Sequence, residues 1–114
     1  MKVYKKNNQI EIKSKTCGLL VEIINSDDFN TSVTVAMNLK PTIAHYHKES
    51  TEIYWVRTGN VEIVVNNNQI KLLKGDLLVV KPFEVHWVTK VSERNEVIVL
   101  NSPRWQKSDE YIAK

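Results

Sequence analysis

The chain contains three histidines, and all three fall where a single metal centre would need them. His45 and His47 flank Tyr46, Glu52 follows after Lys48-Glu49-Ser50-Thr51, and His86 lies beyond a Gly75-Asp76 turn. Imidazole and carboxylate donors together suit borderline divalent ions such as iron, manganese, nickel and zinc. Three neutral imidazoles and one carboxylate leave such an ion with a formal charge of about +1, so it stays a Lewis acid. It can then polarise a carbonyl, stabilise an enediolate, or coordinate a chelating enolate beside dioxygen. A lone His-x-His on a strand is more often a chance pair on a solvated face. Glu52 and then His86 are what turn the pair into a metal-ligand set, and no other cluster in the sequence reads as a catalytic centre.

The elements that must position these donors are strands. Val33, Val35 and Met37 alternate with Thr34, Ala36 and Asn38, while Val61, Ile63 and Val65 enclose Glu62 and Val64, and Val97 and Val99 flank Ile98. This is the period of two expected of half-buried strands. Turn signals recur at short intervals, at Asn7-Asn8, Ser26-Asp27-Asp28, Thr58-Gly59-Asn60, Asn66-Asn67-Asn68, Lys74-Gly75-Asp76, Pro82-Phe83-Glu84 and Ser92-Glu93-Arg94-Asn95. Many short strands joined by tight turns predict an all-β sandwich or barrel. The Asn66 to Asn68 run is the clearest hairpin, because asparagine tolerates the positive φ such loops require. At most one short helix is expected, in the stretch after Pro103 with Asp109-Glu110-Tyr111-Ile112-Ala113.

Strand parity gives a geometric test. Residues two apart share a face, so His45 and His47 point together and Tyr46 points away. Glu52 shares its face with Tyr54 and Val56, and His86 shares its face with Val88 and Lys90. If these three strands line a barrel interior, the four donors converge on one ion and leave two octahedral positions for water or substrate.

Composition removes several other classes of function. At 114 residues the chain is long enough for one core and too short for two. No segment has the length and apolarity of a membrane span or signal peptide, so a cytoplasmic protein without a membrane partner is expected. The single cysteine, Cys17, cannot close an internal disulfide, which agrees with a reducing compartment and leaves packing as its role. A net charge of +3 and a pI near 9.0 are mild, the lysines are scattered, and no nucleic-acid motif accompanies them.

The run His45-Tyr46-His47-Lys48-Glu49-Ser50-Thr51-Glu52, closed by Gly59, resembles the first conserved motif of the cupins. The segment Gly75-Asp76-Leu77-Leu78-Val79-Val80-Lys81-Pro82-Phe83-Glu84-Val85-His86 is similar to the second. The resemblance runs from about 37 to 88, with the first motif at about 39–59 and the second at about 75–90, and its period-two flanks extend it over the 114 residues as one domain. Leu39 stands where the first motif usually opens with Gly. Lys81 and Phe83 stand where the second usually has Pro and Gly, and Lys90 replaces its usual final Asn. None of these is a ligand. The resemblance implies a double-stranded β-helix, or jelly-roll barrel, holding one divalent transition metal (Fe, Mn, Ni or Zn) on His45, His47, Glu52 and His86. It also implies a homodimer, in which packed or exchanged edge strands cover exposed sheet edges.

Three activities suit such a centre. A dioxygenase-like oxidoreductase needs few protein acids and bases, and the apolar lining of Val56, Val61, Ile63 and Val88 favours it. A sugar isomerase or epimerase needs a second titratable group, for which the inward positions offer Tyr54 and Lys90 as weak catalytic candidates. A small-molecule or sugar-binding module would use the metal as an anchor only. Among the remaining aromatics, Trp55 and Trp87 have the parity opposite to the ligands, as does Arg57. Trp105 is expected to pin the tail to the barrel, with a cavity lid as the alternative. Glu49 and Glu84, in turns beside the ligand strands, read as inert carboxylates before they read as bases.

Overall fold

The computed structural model describes residues 1–5, 10–14 and 18–114. Cys17 and the Asn7-Asn8 turn lie outside the described residues. Among the described residues, eleven strands account for nearly all of the regular structure: β1 (Ile10–Ser14), β2 (Gly18–Ser26), β3 (Thr31–Met37), β4 (His45–His47), β5 (Thr51–Thr58), β6 (Val61–Val65), β7 (Asn68–Leu72), β8 (Leu77–Val80), β9 (His86–Val91), β10 (Glu96–Ser102) and β11 (Glu110–Ile112). They form a six-stranded sheet in the order β1-β2-β3-β10-β5-β8 and a five-stranded sheet in the order β11-β4-β9-β6-β7. Every pairing is antiparallel, and consecutive strands repeatedly cross from one sheet to the other, as in a jelly roll. Among the described residues no helix is long and apolar enough to cross a membrane.

The core lies between the inner faces of the two sheets. From the six-stranded sheet it takes Ala36, Tyr54, Val56, Val80, Val97 and Val99, and from the other Val61, Ile63, Val65, Leu72 and Val88. Alternation is as the sequence predicts, but in β3 the row turned inward is Ser32, Thr34 and Ala36, while Val33 and Val35 face outward. Register explains this. Asn101, Val99 and Val97 of β10 pair with Ser32, Thr34 and Ala36, and small side chains on β3 leave room beside the inner face of β10.

Turns set the registers. Asn66 and Asn67 adopt φ of 49° and 67° and close the β6–β7 hairpin as expected. Gly59, which closes the first motif, has φ 74°, and an added Cβ would lie 2.3 Å from Arg94 O and Ser92 Oγ, so no other residue fits there. Phe83, where glycine is usual, nevertheless adopts φ 69°. Its N–H donates to His47 O at 2.6 Å, and its ring stacks on Tyr46 at 6.4 Å, contacts that offset the local strain. Lys81, in place of proline, uses its N–H to donate to Glu84 Oε1 at 2.7 Å. Glu84 also accepts from Asn66 Nδ2 at 2.9 Å, so its carboxylate ties the turn and points away from the ligands' work.

The short helix expected over Asp109 to Ala113 does not form. A 3-10 turn spans Lys107–Asp109, and β11 pairs with β4, setting Glu110, Tyr111 and Ile112 against His47, Tyr46 and His45. Without β11, the three-residue β4 would be a bare sheet edge, and satisfying its backbone outweighs the helical propensity of the tail.

Candidate metal centre

All four sequence-predicted ligands meet. His45 and His86 are direct cross-strand partners in β4 and β9, His47 lies two residues further along the same face, and Glu52 reaches across from β5 in the opposite sheet. One donor atom from each lies within 4.8 Å of the others. All four side chains are at least 97% buried, so whatever satisfies their polar atoms must come from within the barrel.

The imidazoles are oriented by backbone. His45 Nδ1–H donates to Ile43 O at 2.7 Å, His47 Nδ1–H to Asp109 O at 3.1 Å, and His86 Nδ1–H to Glu84 O at 2.9 Å. A carbonyl can only accept, so each bond places a proton on Nδ1 and turns Nε2 toward the centre, where it is a lone pair in the neutral imidazole and a donor only in the protonated one. This is the outer-shell pattern that fixes ligating histidines in metal sites. His45 Nε2 and His47 Nε2 are buried with no hydrogen-bond partner. His47 Nε2 lies 3.5 Å from Glu52 Oε2, close enough for attraction without a formed bond, whereas His86 Nε2 is 3.1 Å from Glu52 Oε1. Orphaned inward lone pairs are costly in a dry interior, and an ion at the common centre is what they fit.

Glu52 is held from two further directions. Tyr54 Oη–H donates to Oε1 at 2.5 Å and Asn101 Nδ2–H to Oε2 at 3.0 Å, while Asn101 also donates to Ser50 Oγ at 3.0 Å. Burial alone would raise the Glu52 carboxyl, but the close approach of the His47 and His86 imidazoles and their charge outweigh it and hold the group well below the ordinary carboxylate value. Burial lowers His45, and the neighbouring charge of His86 lowers it further. His47 is also pushed down by burial, but the Glu52 carboxylate, helped by Glu110 and Asp109, brings it above the ordinary histidine value.

The C-terminal segment completes the centre. The Asp109 carboxylate accepts from three successive backbone amides, those of Lys48 at 3.0 Å, Glu49 at 3.1 Å and Ser50 at 3.0 Å, anchoring the turn between His47 and Glu52. Glu110 shares the face of His47 through the β11–β4 pairing. Trp105 is pinned to the β2–β3 hairpin by its N–H to Ser32 Oγ at 2.9 Å and by Asn25 Nδ2–H to its carbonyl at 2.9 Å.

A cavity of about 30 Å³ adjoins the Glu52 side of the centre. Its walls are mostly apolar, with Leu20, Leu39 and Val99 among them, but Glu22, Tyr54, Asn101 and Glu110 also face it and Trp105 closes it. Trp105 thus both pins the tail and walls the cavity. Of the weaker sequence candidates, Tyr54 is in the site. Lys90 is exposed opposite Glu62 and away from the ligands, because a bulge at Thr89 shifts the end of β9. Trp55 and Arg57 are exposed on the outer face, Trp87 is half-buried, and Glu49 is exposed.

Sequence reasoning missed Asn101, Asp109, Glu110 and Glu22. Asn101 had a signal, since it continues the inward row Val97 and Val99 with a polar side chain. The other three come to the site through pairings far apart in sequence.

Residues 34–102 match the Cupin_2 family, described as the cupin domain. No curated protein matches the sequence. Among solved structures, the nucleoside dehydratase Pac13 superposes with a TM-score of 0.82 at 16% identity, over 100% of this chain and 92% of that one. A Streptomyces Pac13 variant with uridine gives the same values. A protein from Planctomyces limnophilus gives 0.82 at 22% identity, over 98% and 96%. KdgF from Halomonas gives 0.78 at 15% identity, over 95% and 98%.

Proposed function

The chain belongs to the Cupin_2 family of cupin domains, and from that premise we propose that it is a divalent-metal enzyme acting on a small organic molecule by Lewis-acid-assisted proton transfer, as in an isomerisation or elimination. His45, His47, Glu52 and His86 hold the ion. The observation that carries this reading is the pair of buried Nε2 atoms on His45 and His47 that lack a hydrogen-bond partner, beside a carboxylate held ionised. When bound, the ion stabilises negative charge developing on a substrate oxygen.

The chain's own residues supply the rest. Asn101 and Tyr54 hold Glu52 in place, while Glu22, Tyr54 and Glu110 are among the polar groups that face the cavity. A reaction that moves protons needs titratable groups near the centre, and the carboxylates of Glu22 and Glu110 are the ones that the strand patterns alone did not offer. The structurally similar dehydratase performs an elimination, which supports the class without identifying the substrate. The cavity has room for about two or three waters, so an organic substrate requires part of its wall to move. An oxygen-dependent reading draws on the apolar part of the same wall, from Leu20, Leu39 and Val99.

The test is anaerobic purification, reconstitution with each candidate ion, and incubation in D₂O with keto-sugars, uronates, nucleosides and enols. The expected results are one equivalent of metal and deuterium incorporation or elimination without oxygen uptake. Oxygen consumption would replace this reading with the dioxygenase one. A ligand-dependent rise in Tm without turnover would leave a binding module.

The imidazole shifts also predict opposite pH behaviour for the loaded and stripped protein. His47 is raised above its ordinary value of 6.5, so its link to Glu52 stabilises the metal-free fold below that pH and is lost as pH rises through the raised value. His45 is lowered, so its own slope falls below 6.5 and outside this window. A bound ion competes with the His47 proton and gains affinity over the same rise, by up to about tenfold per pH unit for each proton displaced. Between pH 6.5 and 8 the Tm of chelator-treated protein should therefore fall while that of the loaded protein holds or climbs. Parallel curves would contradict the assignment of His47.

A further inference from the structure

The cavity beside the metal centre is charged with one sign only. Glu22 and Glu110, both half-buried, add their carboxylates to that of Glu52, and no Lys or Arg is among the described residues that line it. Arg104, next to Trp105 in the chain, is turned away to Asp27 at 2.6 Å and donates from Nη1 to Asn25 Oδ1 at 3.0 Å. Glu110 lies beside His47 in the β11–β4 pairing, and its charge acts on both His45 and His47. Glu22 owes its place to a bulge. The register of β2 slips at Ile23, so Glu22 pairs with Thr34 and Asn25 with Ser32, both of them buried on the inner face. Residues three apart in a regular strand face opposite sides, whereas here they share one. Asn25 Nδ2–H accordingly reaches Glu22 Oε2 at 3.1 Å and the Trp105 carbonyl at 2.9 Å. Turning a carboxylate toward a mostly apolar wall costs stability, and bulges that re-aim a side chain are over-represented beside active sites. Glu22 also borders an outer groove with Lys2, Tyr4 and Asn25, so it is common to that groove and to the cavity.

We propose that Glu22 and Glu110 set the charge of the substrate: the molecule that reaches the ion is neutral or cationic, a hydroxyl-bearing compound or its amine, and carboxylates and phosphates are rejected. This rests on the metal centre and reaction class proposed above and narrows them. The buried Nε2 atoms of His45 and His47 that lack a hydrogen-bond partner mark the same place as a binding centre. A divalent ion on three neutral imidazoles and Glu52 carries about +1, and two further carboxylates on the cavity wall outnumber that charge. An anion is attracted by the ion but repelled by both carboxylates, and the apolar walls of Leu20, Leu39 and Val99 screen that repulsion poorly. A neutral polyol meets the opposite situation. The carboxylates accept from its hydroxyls, and Trp105 offers an apolar wall to its C–H groups. An ammonium gains more, because carboxylates pair with it and indole is the strongest aromatic partner for a cation. Glu22, shared with the outer groove, selects at the entry side, while Glu110 selects beside the ion.

The test uses two small metal ligands of different charge, azide as the anion and imidazole, which is neutral at about pH 8. Each is titrated into the full, cobalt-loaded chain and followed in the visible spectrum of the ion. Glu22→Gln and Glu110→Gln should each strengthen azide binding about tenfold, the effect of one unit charge between the limits of water and protein interior. Imidazole affinity should stay within about twofold, since the substitutions change charge and little else. Should either variant fail to fold, raising a non-coordinating salt from about 0.01 to 0.5 M should strengthen azide binding to the unaltered chain several-fold by screening the repulsion. Folded variants with unchanged azide affinity, variants that shift azide and imidazole alike, or azide binding that weakens with salt would each overturn the proposal. Efficient turnover of a uronate would overturn the charge selection and leave the reaction class standing. Charge-selective binding with no turnover of any compound would do the reverse.

Discussion

His47→Ala should leave a folded protein that no longer retains metal through dialysis, with affinity reduced at least a thousandfold, beyond the roughly 10–100-fold typical of losing an outer-shell partner. Elemental analysis after dialysis is the measurement, and full stoichiometry in the variant would refute the site. The fold should survive because His47 is not a member of the apolar core between the sheets. The stripped variant should nevertheless be less stable than the stripped parent. Glu52 would keep Tyr54, Asn101 and His86 but lose the attraction of the His47 imidazole, 3.5 Å away, for a fully buried carboxylate. A loss of about 1–3 kcal/mol is expected for weakening the environment of a buried charged group. His45→Ala separates the two effects. His45 has no bond to Glu52, so its removal should abolish metal binding equally while costing the stripped fold less of the Glu52 stabilisation. Equal Tm losses in the two variants would show that the His47–Glu52 attraction contributes nothing.

The ligand set was readable because each donor lies on an element whose parity is fixed locally. His45 and His47 share a face by strand geometry alone, Glu52 begins the next strand, and the turn chemistry around Gly75 and Asp76 delivers β8 and then His86. Gly59 was equally legible, since its φ and the crowding from Arg94 and Ser92 leave space for no side chain. What was not legible depends on distant partners. Asp109-Glu110-Tyr111-Ile112-Ala113 has helical composition, and only the open edge of β4, more than sixty residues away, makes it a strand. Glu22 faces the cavity because β2 pairs with β3, and nothing near Glu22 in sequence marks it. Lys90 had the correct nominal parity, but a bulge at Thr89 in β9 itself cancels parity beyond that point. The inward face of β3 was legible as an alternation but not as a direction, because both of its faces carry apolar residues and the outer one is unusually so.

The second large effect should come from a residue that touches no metal. Asp109→Ala removes the acceptor of three consecutive amides in the turn that joins His47 to Glu52. The Lys48 and Glu49 amides are in an exposed turn and can turn to water, whereas Ser50 is 1% exposed and its N–H cannot, so about 1–3 kcal/mol of stability should be lost. Metal affinity should fall with it, by about 10–100-fold. The Asp109 carbonyl is the acceptor that sets the His47 tautomer and ring plane, and without its carboxylate anchor that carbonyl is free to drift from Nδ1. Asp109→Asn keeps one acceptor oxygen but loses the charge, and should fall between the parent and Asp109→Ala on both measures. Titration with a competing chelator and thermal unfolding of the stripped protein read the two effects separately. If Asp109→Ala lowers Tm while the metal affinity is unchanged, the C-terminal segment only holds the sheet edge. If affinity falls in step, β11 and the 3-10 turn before it are part of the centre, and the tail's docking and the ion's binding are one coupled equilibrium.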